Sequence, residues 1–241
     1  MPDLPDDYPF NPGSTRYPLV DMAELAARVN AFDVYDRRGQ VIWWDRGLGG
    51  TAPWIVSPVI GSNKLSLINE YTYFGPYALQ LTSDLTTSAF VFMYHILAAA
   101  ELNKWGAEVA FGFPGNFERL SIRFMSQDGT NAHAARIDFL RSGDKVQITD
   151  ENGNLLDVGT LPLLAGNAGV YHHVKMVADF ADDMYVRLLI DNQEIDLSAY
   201  PLYVYANASG PWQYFQIVLW AEAASVQSVN LGNVILTVNE P

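Results

Sequence analysis

The chain of 241 residues contains no cysteine. Disulfide bridges and thiolate metal sites are therefore excluded. A chain of this length buries roughly 70–75% of the surface that it exposes when unfolded, so its core needs no covalent or metal staple. The lack of cysteine leaves the compartment open, because a large core removes the need for bridges even outside the cell.

Positive charge and long apolar runs are also scarce. Fourteen basic residues stand against 27 acidic ones, which gives a formal net charge of −13. Such a surface repels phosphate backbones and anionic membranes, so we expect neither nucleic acid nor a membrane as a partner. The longest apolar run, 89–100, is interrupted by His95 and is shorter than the ~20 residues that a membrane helix needs. The sequence therefore predicts a soluble protein.

The usual motifs of nucleotide, metal and nucleophile sites are missing. Residues 47–50 are rich in glycine but are not surrounded by the strand–turn–helix unit of a phosphate cradle. Segment 150–157 places its glycine wrongly for an EF-hand and is interpreted as a hairpin turn. His172 and His173 are adjacent in a predicted strand, point to opposite faces and cannot chelate one ion together. We expect His172 and His95 to be structural, and we expect no metal or other cofactor.

The first thirty residues differ in pattern from the remainder. Residues 1–18 carry five prolines and are predicted to be an extended arm. Asp21 is a good helix N-cap, with Glu24 three residues later as in a capping box. Apolar residues then recur at helical spacing, which predicts a helix over 22–30. We therefore treat 1–30 as an arm with one short helix, and 31–241 as a single domain.

From Phe32 onward the apolar pattern has a period of two, with Gly, Asn, Asp or Pro between short segments. The predicted fold class is all-β, a two-sheet antiparallel jelly-roll β-sandwich with one short N-terminal helix. The predicted strands are 40–44, 54–60, 64–69, 76–82, 87–97, 106–113, 118–126, 134–141, 144–149, 155–160, 170–180, 184–191, 194–197, 213–222 and 227–238.

Three hairpins have a register that the sequence can predict. A two-residue loop at 142–143 places two apolar pairs on one face, and a three-residue loop with a left-handed Gly153 keeps Ile148 off Asp157. Turning through 181–183 lets two alternating strands pair and sets His173 near Asp191. The predicted pairs are Phe139–Val146 and Ile137–Ile148 in the first hairpin, and Phe180–Met184, Ala178–Val186, Met176–Leu188 and Val174–Ile190 in the third.

Segments 171–179 and 185–194 resemble the concanavalin A-like lectin/glucanase superfamily, including laminin G-like modules. Those domains show an aromatic-His strand, a short turn, an alternating strand and then a tight turn into a short strand. Segments 75–81, 107–113 and 229–238 look like other strands of that superfamily. The resemblance implies sugar binding, often with calcium, or glycoside hydrolysis. Four loop aspartates could supply calcium ligands, although solvated loop acids are the default interpretation: Asp182, Asp183, Asp191 and Asp196.

The resemblance to the hydrolases is incomplete. Their strand motif Glu-x-Asp-x-Glu matches here only through Glu194 and Asp196, since Ser198 stands at the third position. The residue that would match the acid/base glutamate is missing, and a retaining mechanism needs two carboxyl groups, one of them able to donate a proton. Glu194 and Asp196 are the only catalytic candidates, and we favour a protein without enzymatic activity.

Aromatic residues make up 13% of the chain and supply the best ligand candidates. Adjacent tryptophans in a strand face opposite ways, so one of them must leave the core, and two tyrosine pairs are spaced to share a face. The alternative is that the core, the arm or a second copy of the chain covers these rings. We predict a non-enzymatic carbohydrate-binding module. The alternatives are an assembly protein that forms a homo-oligomer through its arm, or a glycoside hydrolase. The six candidates are Trp43, Trp44, Tyr71, Tyr73, Tyr203 and Tyr205.

Overall fold

The structure is a computed structural model, which describes residues 38–45, 47–48, 50–57, 63–73, 76–83, 90–97, 103–115, 117–162, 169–220 and 226–241. They lie in one compact unit, Arg38–Pro241. The predicted arm and the helix over 22–30 lie outside these residues. Within the described ranges we found no helix with the length and apolar character needed to cross a bilayer.

The described residues form antiparallel strands in chain order. Their bounds are β1 (Gln40–Asp45), β2 (Ile55–Ser57), β3 (Lys64–Ile68), β4 (Ala78–Thr82), β5 (Phe90–Leu97), β6 (Lys104–Gly112), β7 (Arg119–Gln127), β8 (Asn131–Leu140), β9 (Lys145–Thr149), β10 (Leu155–Thr160), β11 (His172–Asp179), β12 (Met184–Ile190), β13 (Gln193–Asp196), β14 (Tyr203–Ala206), β15 (Trp212–Trp220) and β16 (Ser228–Val238).

The strands form two sheets, which confirms the predicted all-β sandwich. Sheet A has the order β13-β12-β11-β6-β16-β4-β3, and β1 pairs with the last part of β16. Sheet B has the order β10-β9-β8-β7-β15-β5-β2, and β14 pairs with the first part of β8. The inward-facing side chains of the two sheets interdigitate, as in Trp105 of β6 against Phe124 of β7, with ring centroids 5.1 Å apart. The outward faces are left for other roles.

Two predicted hairpin registers are confirmed. Ile137 pairs with Ile148 and Phe139 with Val146. Gly153 is left-handed, with φ 82°, and Leu156 takes the position opposite Ile148, as the three-residue loop requires. Local alternation and turn chemistry were sufficient here, because each loop joins strands that are neighbours in the chain.

The third hairpin is confirmed only in its first half. Val174 pairs with Ile190 and Met176 with Leu188, but Ala178 pairs with Tyr185. The predicted pairs Ala178–Val186 and Phe180–Met184 are therefore wrong. The register shift leaves Val186 as an extra residue in a β-bulge, which changes the face on which the following side chains lie. As a result Tyr185 is completely buried.

Candidate functional site

The outward face of sheet B carries aromatic and basic side chains together. On β7, Leu120, Ile122 and Phe124 are in the core, so alternation turns the odd-numbered residues of this strand outward. We call the outward-facing residues of β5, β7, β8, β14 and β15 the sheet B face. Those used below are Tyr94, Arg119, Ser121, Arg123, Met125, Gln127, Ala132, Ala134, Arg136, Asp138, Tyr203, Tyr205, Trp212, Tyr214, Gln216 and Trp220.

Two arginines stand directly opposite each other in the middle of this face. The register pairs Arg136 of β8 with Arg123 of β7, Arg123 with Gln216 of β15, and Gln216 with Tyr94 of β5. These four side chains form one row across the sheet. Like charges at directly opposed positions destabilise an antiparallel pair, so this row is not explained by the folding of the sheet.

One carboxylate compensates part of this charge. Asp138 is fully buried and accepts two hydrogen bonds from Arg136, from Nε at 2.7 Å and from Nη2 at 2.5 Å. Arg119 lies 3.7 Å from the same carboxylate and stacks over Trp220, 4.1 Å from the ring centroid. The Trp220 Nε1–H in turn donates to Ser121 Oγ at 3.0 Å. Two guanidinium groups therefore share a single buried carboxylate, and the third, that of Arg123, stands opposite Arg136 in the register.

Arg123 is the least compensated of the three. Its one hydrogen bond runs from Nη1 to Gln216 Oε1 at 3.5 Å, and its Nε is buried without a hydrogen-bond partner. No carboxylate among the described residues forms an ion pair with it. Burial, followed by repulsion from Arg136, lowers the pKa of Arg123 to about 10. The guanidinium is thus charged at neutral pH, but the fold disfavours its charged form.

A cavity of about 220 Å³ opens beside Arg123. It lies where the edge of β8 changes partners, since β14 pairs with Asn131–Ala134 and β9 with Ile137–Leu140. The small side chain of Ala134 leaves this space open. The lining residues are Arg123, Met125, Ala134, Ala135, Arg136, Thr149, Gly153, Tyr203 and Tyr205.

Tyr185 forms hydrogen bonds with backbone groups at the point where β8 changes partners from β14 to β9. Its side chain comes from β12 of sheet A, and its hydroxyl accepts a hydrogen bond from the Arg136 N–H at 2.9 Å. The same hydroxyl can donate to Arg136 O at 3.1 Å or to Thr149 O at 3.0 Å. Burial raises the pKa of Tyr185, so the phenol stays protonated. Tyr185 therefore fixes the backbone of Arg136 beside the cavity.

Two stacked aromatic pairs stand on either side of a floor that β7 and β8 form. Tyr203 and Tyr205 on β14 have ring centroids 5.0 Å apart, and Trp212 and Tyr214 on β15 have centroids 4.6 Å apart. The register puts β8 and β7 between them, which is three inter-strand spacings or about 14 Å. The floor consists of side chains that are small or unbranched: Ala132 and Ala134 on β8, and Met125 and Gln127 on β7. We call this floor together with the two aromatic pairs the trough.

Tyr205 and Tyr214 are neutral hydrogen-bonding groups at physiological pH. Burial raises the pKa of Tyr214 to about 12, and burial together with the neighbouring Tyr203 raises the pKa of Tyr205. The Tyr214 hydroxyl donates to Met125 Sδ, which packs the ring over the floor. The trough thus combines apolar ring faces, phenolic hydroxyls and guanidinium donors.

Comparison with solved structures identifies the architecture. An endo-beta-1,4-glucuronan lyase from the fungus Trichoderma reesei has a TM-score of 0.59 at 12% identity, over 83% of this chain and 96% of the lyase. A Bacillus subtilis protein with a galectin-like fold has a TM-score of 0.53 at 12% identity, over 84% of this chain and 97% of that protein. A sialidase has a TM-score of 0.55 at 11% identity, over 84% of this chain.

The fold is a concanavalin-like jelly roll. The chain spans only 19% of the sialidase, so it corresponds to a small part of that protein. No protein-family model and no curated protein matches the sequence. At identities of 11–12%, the similarity establishes the fold alone.

The jelly roll places the six predicted ligand-binding aromatics in three separate regions. Only Tyr203 and Tyr205 line the cavity. Trp44 is exposed on sheet A, where its Nε1–H donates to Asn233 Oδ1 at 2.6 Å. Trp43 points the other way, as predicted for adjacent tryptophans, and stacks on His95 with centroids 4.2 Å apart. These residues therefore do not form one surface.

The remaining predicted tyrosine pair lies after β3, near β11. Tyr71 is exposed, with φ 52°, and its backbone oxygen accepts a hydrogen bond from the Tyr171 hydroxyl at 2.6 Å. Tyr73 packs on Tyr171 and His173, with centroids 5.2 and 4.8 Å away. This cluster belongs to sheet A and is separate from the cavity on sheet B.

The two catalytic candidates lie on β13, an edge strand of sheet A. Glu194 forms an exposed ion pair with Arg38 at 3.3 Å. The Asp196 carboxylate accepts a hydrogen bond from the Ser198 N–H at 2.9 Å, and hydrogen bonds from Ser198 lower the pKa of Asp196. Sheet B carries the cavity, so these carboxylates stand on the other sheet.

Three of the four candidate calcium ligands have partners in the structure, since Asp196 accepts a hydrogen bond from the Ser198 N–H and two others pair with histidines. Asp183 lies 2.5 Å from His133 Nδ1, and Asp191 lies 2.9 Å from His172 Nδ1. In the parts of the chain that the structure describes, no three His, Asp or Glu side chains come together in a way that could hold an ion. His172 and His95 are hydrogen-bonded, as predicted for structural histidines, and His95 Nδ1 lies 2.9 Å from Pro53 O.

Sequence reasoning missed the arginines and the second aromatic pair. Arg119, Arg123 and Arg136 all occupy outward positions of strands whose other positions are core residues. A signal was present, because a chain with few basic residues places three of them at such positions. Nothing local shows that β7 and β8 lie between β14 and β15, because that arrangement depends on pairing between distant segments.

Proposed function

We propose that this protein binds a carbohydrate in the trough of the sheet B face. The observation that carries the proposal is the pair of aromatic stacks, Tyr203–Tyr205 and Trp212–Tyr214, on either side of a floor without bulky side chains. Sugar rings present apolar C–H faces that pack on aromatic rings and hydroxyls that hydrogen-bond to polar groups. A few polar groups among mostly apolar walls is the usual composition of a ligand site.

The names of similar structures support a carbohydrate ligand. An endo-beta-1,4-glucuronan lyase and a small part of a sialidase share the fold. So does a carbohydrate esterase from the Shiga toxin-encoding bacteriophage phi24B, with a TM-score of 0.53 at 12% identity over 84% of this chain and all of the esterase. One fold hosts many activities, so the argument for this chain depends on its own trough.

Binding without glycoside hydrolysis is the activity that we propose. Two-carboxylate hydrolysis needs one carboxyl group that donates a proton and a second that acts as nucleophile or base. On the described part of the sheet B face, Asp138 is buried beneath Arg136 and Arg119. Glu194 and Asp196 stand on the other sheet. The assembly role of residues 1–30 stays a prediction, because those residues lie outside the described ones.

Calorimetric titration of oligosaccharides selected on a glycan array tests the proposal. Tyr205→Ala and Trp212→Ala should each weaken binding about tenfold, because each removes one stacking ring. Trp44→Ala is the matched control, since it removes an exposed ring from the outward side of sheet A. An array without any bound glycan, or equal losses in all three variants, would reject the trough as a sugar site.

A further inference from the structure

We propose that the sugar in this trough is acidic, and that its carboxylate or sulfate group lies against Arg123 in the cavity beside β14. This inference rests on the proposed carbohydrate-binding function and narrows its ligand class. The two acidic groups share one chemistry, a delocalised oxyanion that a guanidinium recognises with two parallel hydrogen bonds.

The charge balance of the sheet B face is the first argument. Asp138 forms two short hydrogen bonds with Arg136 and lies 3.7 Å from Arg119. Arg123 forms no ion pair with a described carboxylate. The chain as a whole is acidic, with a net charge of −13. A local excess of positive charge in such a chain, on directly opposed positions of two strands, opposes folding. An anionic ligand would remove this cost.

The unmet hydrogen bonds of Arg123 are the second argument. Its Nε is buried without a partner, and its one hydrogen bond, to Gln216, is long at 3.5 Å. A buried polar group without a partner carries a desolvation cost that a native fold rarely leaves uncompensated. A bound oxyanion in the cavity would supply acceptors to this guanidinium.

The shape of the site is the third argument. Arg123 and Arg136 line the same cavity as Tyr203 and Tyr205. A sugar ring stacked on the tyrosines can therefore direct an acidic substituent toward the two guanidinium groups. Gly153 fixes one wall, because it approaches the Tyr203 ring so closely that an added Cβ would lie 3.3 Å from the ring atoms.

The same charges argue against a nucleic acid ligand. The acidic surface repels a polymer with one phosphate per nucleotide, whereas the arginine cluster acts over a short range, about one Debye length. The expected ligand is an oligosaccharide whose acidic groups are separated by sugar rings that can stack.

Pairs of tetrasaccharides that differ only at carbon 6 give the test. The pairs are β-1,4-linked glucose and glucuronate, β-1,4-linked mannose and mannuronate, and α-1,4-linked galactose and galacturonate, with the 6-sulfated form of each neutral sugar as the sulfate arm. At least one acidic member should bind tenfold or more tightly than its neutral counterpart, because a charge-assisted bidentate bond is gained. Its affinity should fall between about 50 and 300 mM salt, as screening increases.

Variants separate the role of Arg123 from general charge. Arg123→Gln should weaken binding of the acidic sugar about tenfold or more and weaken binding of its neutral counterpart by a smaller factor, so that the preference for the acidic sugar is lost. Arg141→Gln, in the exposed β8–β9 turn, changes the net charge by the same amount and should have no effect. Ala134→Leu fills the cavity without changing charge and should weaken both sugars. Urea unfolding of each variant checks that it is folded.

The outcomes distinguish a failure of the acidic-sugar inference from a failure of carbohydrate binding itself. A neutral sugar that binds as tightly as its acidic and sulfated counterparts overturns this inference and leaves carbohydrate binding intact. Acidic sugars that bind equally well to Arg123→Gln and to the unaltered protein overturn the assignment of Arg123. An absence of binding by every sugar rejects both. A preference for the sulfated over the carboxylated form identifies which acidic group the cavity takes.

Discussion

The outward faces of the two sheets differ in how far their positive charges are paired with carboxylates. On sheet A, the buried cations Lys175 and Arg187 meet Glu240, whose carboxylate lies 2.7 Å from Lys175 Nζ and 2.6 Å from Arg187 Nη2. Glu108, also buried, stands opposite Lys175 in the register. On sheet B, Arg119 and Arg136 share Asp138, and Arg123 forms no ion pair with a described carboxylate. Positive and negative groups are matched on the first face and unmatched on the second.

The difference separates structural charge from functional charge. A buried ion pair whose members also form hydrogen bonds holds elements in place, and Lys175 and Arg187 also donate to Arg38 O and Pro241 O, at 2.8 and 2.7 Å. Losing one partner of such a pair is costly. A cation without a partner contributes no such stability, so its presence on sheet B indicates a requirement that the fold alone does not impose.

Removing the shared anion of sheet A should have the largest effect. Glu240→Gln removes the buried carboxylate that Lys175 and Arg187 share, so we expect the free energy of unfolding to fall by roughly 3–5 kcal/mol. Urea denaturation followed by tryptophan fluorescence measures it. Glu194→Gln is the control, because its pair with Arg38 is exposed and should contribute less than about 1 kcal/mol. Equal losses in the two variants would contradict the comparison.

Tyr185 links the two sheets through the core, and Tyr185→Phe should have the next largest effect. The variant leaves the Arg136 N–H and two nearby carbonyl oxygens without the hydroxyl that they now contact. Buried backbone groups left unpaired cost about 1–3 kcal/mol. Tyr77→Phe, which removes an exposed hydroxyl, is the control in the same urea experiment. A loss of unfolding free energy no larger than that of the control would show that the change of partners along β8 does not need the Tyr185 hydroxyl.

Tyr185 also shows where sequence reasoning reaches its limit. Alternation predicts Met176–Leu188 and Val174–Ile190 correctly, because those pairs follow from a continuous period of two. It cannot reveal the bulge at Val186, since the groups that attract the Tyr185 hydroxyl belong to β8 and β9 of the other sheet. Long-range hydrogen bonding here outweighs local pattern.

The candidate site was predictable by residue type but not by location. Tyr203 and Tyr205 stand out as aromatic residues at a same-face spacing, yet the strand that carries them, β14, has only four residues and was not predicted. Its partner, β8, lies about seventy positions earlier in the chain. Trp43 and Trp44 have the same composition signal but lie on the edge strand of sheet A. Sheet order, which is non-local, decides which rings meet.

Removing a positive charge from sheet B should raise the stability of the protein, whereas removing the shared negative charge from sheet A should lower it. Burial and Arg136 disfavour the charged form of Arg123, so we expect Arg123→Gln to raise the free energy of unfolding by about 1 kcal/mol, a typical gain when functional strain is relieved. Arg141→Gln, at an exposed turn, should stay within about 0.5 kcal/mol of the unaltered protein. A clear loss of stability in Arg123→Gln would show that this arginine has a structural role.

The smallest expected effect concerns the pH dependence on the sheet A side. Burial would raise the pKa of Asp191, but the hydrogen bonds from His172 and from the His173 N–H outweigh it and lower the pKa below its usual value. A carboxylate with a lowered pKa adds stability above its unfolded pKa of about 3.9, and this contribution disappears as the pH falls through the folded value. Asp191→Asn should therefore be less stable than the unaltered protein at about pH 6, and the difference should narrow toward about pH 3.

Urea unfolding at several pH values, repeated in a His172→Gln background, isolates the coupling between the two side chains. A difference that does not change with pH would mean that the Asp191 carboxylate titrates alike in the folded and unfolded chains.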